Sequence, residues 1–269
     1  QDNQGFMWFG TQDGLNRYDG KTFKVFSQVE GDPTSLSDVW VCSLALDAQG
    51  NLWAGTRLGG ANRYDARTGT FTRYSHQEVV KGSLSDNNVH AIYSDAEGRL
   101  WFGTSAGLDL FDPKTDTFSF YRPADIDEFV VQAIAADAQG NLWVGSAQAL
   151  WRFDPQTGEF SQYTLGEESM SVNAILVYPD DTLWLTGLGS GLLHFYPAKG
   201  EFIQYSLEQG IAENTSSLWL DPSGYLWVGS YEGLILFDPE SGTFRTYHHD
   251  PIFTTTLSEN YIFSLYQDR

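Results

Sequence analysis

The sequence predicts an all-β fold, a β-propeller of four-stranded antiparallel blades, and three observations support this prediction. A motif centred on tryptophan recurs six times at spacings of 41–48 residues, which is the length of a propeller blade. The segments around it are short and rich in aromatic and β-branched residues, as strands are. No stretch combines helical periodicity with capping residues. The six tryptophans are Trp8, Trp53, Trp101, Trp143, Trp184 and Trp227.

Each repeat is predicted to contain the same elements in the same order. An aspartate six residues before the tryptophan opens a turn that a glycine completes, as in "DAQGNLW" at Asp47–Trp53 and at Asp137–Trp143. A strand ending in Gly-Thr or Gly-Ser follows, then a strand ending in an aromatic residue and aspartate, then a strand with Phe-x-x-aromatic. Aspartate accepts hydrogen bonds from the backbone that follows it, and glycine tolerates positive φ. We therefore expect the aspartates to cap turns and the tryptophans to pack between blades.

The repeats are expected to form one domain over residues 1–269, with boundaries near 2–46, 47–94, 95–136, 137–177, 178–220 and 221–260. Residues 261–269 match the inner strand that begins at Val89, so we expect them to complete the first blade. This predicts a six-bladed ring closed by the carboxyl-terminal strand, with an arc of a longer, seven-bladed array as the alternative. The fifth repeat departs from the pattern because Tyr178 replaces the aspartate.

Composition narrows the range of functions. The formal net charge of −20 argues against nucleic acid and against contact with an anionic membrane, because both need basic patches. The single cysteine excludes an internal disulfide framework and a cysteine-based zinc cluster. The five histidines are expected to lie in five different registers, which argues against a shared metal or base. No metal site, cofactor or catalytic set is predicted.

The pattern Asp-x-x-Gly-x-Leu-Trp-x-Gly-Thr, preceded by "SLSD" at Ser35–Asp38 and Ser83–Asp86, closely resembles the two-component regulator propeller repeat. The resemblance covers the whole chain. It implies the periplasmic or other extracytoplasmic sensing region of a membrane-anchored bacterial receptor, such as a hybrid histidine kinase or a diguanylate cyclase. It also implies that the ligand is an oligosaccharide or another small polar molecule, and that signalling domains adjoin the propeller in a longer chain.

The ligand site is expected at the mouth of the central channel, among positions that vary between repeats. Two rows near the start of the inner strands carry mostly amides, hydroxyls and aromatic rings, a mixture that suits polyols. Arg57 is a candidate partner for a carboxylate such as that of a uronic acid; the alternative is an ion pair with a neighbouring loop aspartate. His90 is expected to line the channel rather than act as a base. The candidate site residues are Trp40, Arg57, Asn88, His90, Gln132, Asn173, Asn214 and Tyr261.

Three functions remain open at this point. The first is a non-catalytic sensor that binds a ligand and signals to a neighbouring domain. The second is a protein-interaction scaffold, for which three long loops, at residues 28–39, 75–88 and 248–260, offer a partner or homodimer face. The third is a propeller lyase or glycosidase, which would need a convergent acid and base, often with a metal. The resemblance favours the sensor.

Overall fold

The computed structural model describes residues 1–165, 170–206 and 210–268, and the regular elements in these ranges are β-strands. Contacts divide the chain into two compact units, residues 1–134 and residues 135–268. None of the described residues forms a helix long and apolar enough to cross a membrane. Arg269, the last residue of the predicted closing strand, lies outside the described residues.

The first unit holds three antiparallel sheets, with strands in the order β1-β2-β3, β4-β5-β6-β7 and β8-β9-β10-β11. The strands are β1 (Met7–Thr11), β2 (Gly14–Tyr18), β3 (Phe23–Phe26), β4 (Val41–Leu46), β5 (Leu52–Thr56), β6 (Ala61–Asp65), β7 (Thr70–Tyr74), β8 (Val89–Ser94), β9 (Leu100–Thr104), β10 (Leu108–Asp112) and β11 (Thr117–Tyr121).

The boundary between the units falls within β12 (Val131–Ala136), the first strand of a sheet in the order β12-β13-β14-β15. Two further sheets of the second unit have the orders β16-β17-β18-β19 and β20-β21-β22-β23. The strands are β13 (Leu142–Ser146), β14 (Leu150–Asp154), β15 (Glu159–Tyr163), β16 (Ala174–Val177), β17 (Leu183–Gly187), β18 (Gly191–Tyr196), β19 (Glu201–Tyr205), β20 (Thr215–Leu220), β21 (Leu226–Ser230), β22 (Leu234–Asp238) and β23 (Thr243–Tyr247).

The all-β propeller architecture is confirmed, and the six sheets within the described residues agree with the six predicted repeats. Five of these sheets have four strands, whereas the first has three, and β1 pairs with β2 alone. Residues 261–268 are not in a strand. Completion of the first sheet by this segment, the closed ring and the single domain stay predictions.

The turn between β4 and β5 shows why the repeated aspartate is needed. Oδ1 of Asp47 accepts the backbone N–H groups of Gln49 and Asn51 at 3.0 and 2.8 Å. Gly50 then takes φ = +82°, a backbone conformation that residues with a Cβ rarely adopt. The other oxygen, Oδ2, accepts the indole N–H of Trp53 at 3.0 Å, so one carboxylate fixes both the turn and the tryptophan.

Four of the six tryptophans pack against an aromatic ring of the next sheet, as predicted: Trp8, Trp53, Trp143 and Trp184. Trp53 on β5 is fully buried, and its ring lies 5.4 Å from that of Phe102 and 4.8 Å from that of Phe111 in the next sheet. Edge-to-face contacts of this kind each add about 0.5–1.5 kcal/mol to the burial of apolar area. The recurrence of tryptophan therefore reflects one packing problem that each sheet has to solve.

The fifth repeat keeps its strands although its turn is altered. Tyr178 still donates its backbone N–H to the Thr182 carbonyl at 2.8 Å, and Asp180 now caps the turn by accepting the N–H of Thr182 at 3.0 Å. Because tyrosine cannot replace the missing carboxylate, the buried indole N–H of Trp184 has no hydrogen-bond partner. The imidazole of His194 stacks on that indole instead, with ring centroids 4.0 Å apart.

Candidate functional site

The inner strands of several sheets begin with a β-bulge. The register between β4 and β5 shifts between Val41 and Ser43, and that between β8 and β9 shifts between Val89 and Ala91. The bulged residues are therefore Cys42 and His90, two members of a row that varies between repeats. A bulge adds a residue that the ladder does not pair and redirects its side chain. This row is consequently free to vary without disturbing the hydrogen bonds of the sheet.

Trp40 and Arg57 form a direct pair in the first unit. The backbone N–H of Arg57, just after β5, donates to the carbonyl of Trp40, just before β4, at 3.0 Å. The guanidinium carbon of Arg57 then lies 4.2 Å from the centroid of the Trp40 ring, within the range of a cation–π contact. About a third (36%) of the Trp40 surface remains exposed. The pair thus presents a flat aromatic surface with a cation resting on it.

The ion pair considered as the alternative for Arg57 does not form. Among the described residues, no carboxylate lies within 4.0 Å of the guanidinium, and its N–H groups make no hydrogen bond. The nearby loop aspartate, Asp38, is used otherwise, because its Oδ2 accepts the backbone N–H of Leu58 at 2.9 Å. Arg57 therefore keeps its planar set of donors available for a ligand.

The third sheet repeats this backbone arrangement with different side chains. The N–H of Ser105 donates to the carbonyl of Asn88 at 3.1 Å, and the Ser105 hydroxyl lies 3.0 Å from Nε2 of His90. The side-chain oxygen of Asn88 is buried and has no hydrogen-bond partner in the structure. A further candidate, Gln132, lies half-buried on β12. Asn88 and Ser105 thus occupy the positions of Trp40 and Arg57 in the preceding sheet, and His90 occupies the position of Cys42.

The charges near this site act on its titratable groups. Burial lowers the pKa of His90, Asp86 opposes this shift, and the Arg57 cation lowers the pKa further. His90 is accordingly neutral near pH 7 and offers one donor and one acceptor nitrogen. Burial raises the pKa of the Cys42 thiol, Asp38 raises it further, and Arg57 lowers it. Arg57 is therefore close enough to affect both bulged residues.

The second unit places its candidates in two groups. Asn173 donates its N–H to the Thr186 carbonyl at 2.8 Å, and its side-chain oxygen accepts the hydroxyl of Ser171 at 2.6 Å. The Asn214 carbonyl accepts the N–H of Tyr231 at 3.1 Å, as Trp40 accepts that of Arg57.

Tyr261 belongs to an aromatic cluster of this unit. Its ring lies 4.0 Å from that of Tyr231 and 4.3 Å from that of Phe263, which is 68% exposed. These rings offer stacking surfaces like that of Trp40. The structure thus joins Trp40 to Arg57, Asn88 and His90 to Ser105, and Tyr261 to Tyr231; a role for any of them in binding stays a prediction.

Several features escaped the sequence analysis. The bulges could not be read from strand patterns. The repeated "SLSD" was the only sequence signal for the roles of Asp38 and Asp86 near the site. The expectation of five separate histidine registers was wrong. His76 and His249 are equivalent, because Nδ1 of each lies 2.8 and 2.6 Å from a leucine carbonyl, of Leu84 and Leu257 respectively. Both histidines therefore brace a long loop of the same construction. In the described ranges, no three His, Cys, Asp or Glu residues come together as metal ligands would.

Comparison with known proteins bears on these features. A family model described as "Two component regulator propeller" matches residues 35–57, 83–106 and 126–148. The chain is also 51% identical, over 37 residues, to histidine kinase P4 of Formosa agariphila, a stretch that covers 14% of this chain and 3% of the kinase.

Solved structures extend the likeness to the whole fold. The extracellular domain of a putative hybrid two component system from B. thetaiotaomicron matches with a TM-score of 0.85 and 21% identity, over 100% of this chain and 36% of that domain. Virginiamycin B lyase from Staphylococcus aureus matches with a TM-score of 0.63 and 14% identity, over 77% of this chain and 69% of the lyase. The chain thus spans about a third of the first of these structures. At these identities the likeness shows the fold alone. Three segments of the chain, at residues 35–57, 83–106 and 126–148, therefore match the repeat described as two component regulator propeller.

Proposed function

We propose that this chain is a non-catalytic, ligand-sensing propeller of a bacterial signal-transduction receptor. Its ligand is an oligosaccharide or another small polar molecule, and the bound state is passed to signalling domains of a longer chain. The matched repeats and the likeness to an extracellular two component domain support the sensing role. Coupling requires only that the ligand prefers one of two arrangements of the receptor.

The observation that carries the proposal is the Arg57–Trp40 pair. The guanidinium of Arg57 makes no ion pair with any described residue, although carboxylates are abundant in a chain whose formal net charge is −20. Arg57 instead rests on an aromatic ring that is itself partly exposed. Aromatic faces take the apolar face of a sugar ring, and a guanidinium takes a carboxylate in a bidentate manner. The two groups together suit a saccharide that carries an acidic group.

The neighbouring polar groups fit the same ligand class. Neutral His90 and the Ser105 hydroxyl supply a donor and an acceptor for sugar hydroxyls. In the second unit, Tyr231 and Tyr261 provide a second aromatic surface. The proposal draws on the first unit, where the contacts are most specific.

Thermal shift and calorimetric titration test the proposal. The purified protein is titrated with neutral and uronic-acid oligosaccharides at large excess, since a ligand at 100 times its Kd stabilises by about 2.7 kcal/mol. We expect Arg57→Ala to weaken binding of the acidic sugar roughly 10–100-fold, which corresponds to the loss of about 1.5–3 kcal/mol from charge-assisted hydrogen bonds. Trp40→Ala should weaken the binding of neutral and acidic sugars alike.

Arg67→Ala is the matched control. Arg67 is an exposed arginine paired with Asp65 at 3.3 Å, so its removal makes the same change in net charge without touching the Arg57–Trp40 pair. Equal losses of affinity in the two variants would show that the effect comes from the change in net charge and not from the Arg57–Trp40 pair. Intact sugar after binding supports a sensor, whereas breakdown products would identify a lyase or glycosidase. No shift with any sugar would favour the interaction scaffold.

Localisation and partners belong to the same proposal. An extracytoplasmic position in a membrane-anchored receptor is supported by the extracellular relatives. The homodimer is proposed on the long loops, whose tips expose Val79 at 94% and Ile252 at 81%. Light scattering of the wild type and of a Val79→Asp, Ile252→Asp double variant tests it, because a dimer built on these tips should dissociate.

A further inference from the structure

In five of the six described sheets, one hydroxyl group closes the hairpin that follows the tryptophan-bearing strand. In the second sheet, the Thr56 hydroxyl donates to the carbonyl of Gly60 at 2.8 Å and accepts the N–H of Gly59 at 3.2 Å. The equivalent hydroxyl groups, each donating to a carbonyl three residues later, belong to Thr11, Thr104, Ser146 and Ser230. One side chain thus ties together the two ends of each of these hairpins.

The fifth sheet lacks this hydroxyl because glycine and threonine are exchanged at the end of its tryptophan-bearing strand. β17 ends in Thr186 and Gly187, whereas the other five strands end in Gly-Thr or Gly-Ser. A Cβ at residue 187 would collide with the backbone carbonyl of Ser171, so threonine does not fit there without a shift of the backbone. A hydroxyl for this hairpin therefore has to come from another element.

Thr215, the first residue of β20 in the sixth sheet, supplies the missing hydroxyl. Its Oγ1 donates to the carbonyl of Gly191 at 2.5 Å and accepts the N–H of Gly187 at 3.3 Å. At the equivalent position before or in four other inner strands there is a valine that lies against a glycine of the preceding sheet: Val41, Val89, Val131 and Val172. Threonine has nearly the shape of valine, so the fifth and sixth sheets gain two hydrogen bonds where those four valines make only apolar contact.

Asn214 adds a second connection at the same place. Its side-chain oxygen accepts the N–H of Gly189 at 3.2 Å, and its backbone carbonyl accepts the N–H of Tyr231 at 3.1 Å. Tyr231 in turn stacks on Tyr261. We name residues 187–191 the glycine loop, and Asn214 with Thr215 the latch. The latch thus contacts both the glycine loop and the loop that carries one of the aromatic surfaces.

The glycine loop also has features that oppose its closed position. The Leu188 side chain is 47% exposed, so it contributes little packing to the loop. The hydroxyl of Ser190 is buried and has no hydrogen-bond partner among the described residues. A buried hydroxyl without a partner lowers stability, and opening of the loop would return this group to solvent. The closed position therefore depends on the hydrogen bonds of the latch.

We propose that Asn214 and Thr215 are positioning residues that hold the glycine loop closed, and that loss of the latch lets residues 187–191 open as one unit. A sugar hydroxyl that donates to the Asn214 side-chain oxygen would replace the N–H of Gly189 and release the loop. The closed state and its release follow from the hydrogen bonds alone, whereas this effect of a sugar rests on the proposed function.

Hydrogen exchange of single amides, measured by NMR, tests the latch in Thr215→Val and Thr215→Ser. Valine keeps the shape of threonine and occupies the equivalent position in other sheets, so the variant should fold. We expect exchange at Gly187, Gly189 and Gly191 to accelerate together by roughly 10-fold or more in Thr215→Val. The Gly191 N–H donates to the Glu213 carbonyl at 2.9 Å, so its acceleration reports opening of the whole loop. Thr215→Ser, which keeps the hydroxyl, should exchange as the wild type does. Acceleration at Gly187 alone, or at none of the three, would overturn the proposal.

Two further variants provide matched comparisons. Thr56→Val removes the equivalent hydroxyl from the second sheet, where donor and acceptor share one hairpin, so exchange should rise at Gly59 and stay unchanged in β8. Ser190→Ala removes the buried hydroxyl without a partner, so exchange of the glycine loop should slow. Faster exchange in Ser190→Ala would contradict the cost assigned to the closed position.

A neutral oligosaccharide at saturating concentration tests the release by a ligand. Exchange at Gly189 should accelerate in the wild type when the sugar is bound. A bound sugar that leaves this exchange unchanged would contradict the release. If no sugar binds while Thr215→Val still opens the loop, the proposed function fails and the latch stands.

Discussion

The imidazole of His194 lies flat against the indole of Trp184, with an interplanar angle of 11°. The fifth repeat lacks the aspartate that accepts the tryptophan N–H in the first, second, third and sixth repeats. The stack is held by hydrogen bonds from both sides, since Thr182 lies 2.7 Å from Nε2 of His194 and the Tyr196 hydroxyl lies 2.9 Å from Nδ1. One substitution in a repeat has thus produced a different local arrangement.

Trp184→Phe should destabilise the protein less than Trp53→Phe does. Both changes open a similar space in a core, but only the second leaves a carboxylate, that of Asp47, without its indole donor. Since hydrogen bonds to charged groups contribute about 1.5–3 kcal/mol, we expect a difference of about 1–2 kcal/mol in the free energy of unfolding. Urea unfolding followed by circular dichroism measures it, and equal losses would contradict the assigned role of the aspartate.

The state of His194 should make stability depend on pH. Burial lowers the pKa of His194, and Asp180 opposes the shift. The folded protein therefore binds this proton more weakly than the unfolded chain, so the contribution to stability is complete above the ordinary histidine pKa of about 6.5 and is lost as pH falls below it. The free energy of unfolding, measured from pH 8 down to pH 5, should fall less in His194→Gln than in the wild type.

The Tyr196 hydroxyl should help to keep His194 neutral. Thr182 donates its proton to Asp180 at 2.6 Å, so it accepts from Nε2–H of His194 and leaves Nδ1 to accept from Tyr196. A hydrogen bond to the neutral form disfavours protonation. Tyr196→Phe should therefore raise the pKa of His194 toward its ordinary value in an imidazole NMR titration. An unchanged midpoint would mean that burial and Asp180 set the pKa of His194 without a contribution from Tyr196.

Arg73 should hold the long loop before β4 in place. Its guanidinium donates to the carbonyls of Ser35, Asp32 and Leu36 at 2.8, 2.7 and 3.1 Å, and to the Ser35 hydroxyl at 2.7 Å. Arg73→Ala leaves these acceptors unpaired, and we expect hydrogen exchange in residues 29–38 to accelerate at least 10-fold. Arg67→Ala, which removes an exposed arginine, should leave this segment unchanged.

Cys42 reports on Arg57 without any added ligand. Burial and Asp38 raise the pKa of the thiol, whereas Arg57 lowers it, so the thiolate fraction depends on the guanidinium. Alkylation by iodoacetamide at pH 8 should be slower than that of a free cysteine, and slower again in Arg57→Gln. Faster alkylation in that variant would indicate that Arg57 shields Cys42 rather than stabilising its thiolate. The chain has one cysteine, which makes the rate specific to this position.

The sequence was sufficient for the repeated framework and insufficient for the site. Trp53 and Asp47 recur at fixed spacing because each sheet solves the same turn and packing problem, and that regularity predicts strands and their order. The bulges at Cys42 and His90 depend on backbone register, which a pattern of residue types does not contain. The contact of Arg57 with Trp40 depends on where two loops meet.

The connectivity of the sheets also bears on how the chain folds during its synthesis. Each strand from β4 to β7, and again from β8 to β11, pairs with the strand next to it in sequence through a short hairpin. Local pairings of this kind close small loops and form early. At a synthesis rate of about 5–20 residues per second, a repeat of this length leaves the ribosome every few seconds, far longer than a hairpin needs to form. Sheets of this chain can therefore assemble one after another during translation, and a tryptophan such as Trp53 gains its packing partners when the next sheet forms.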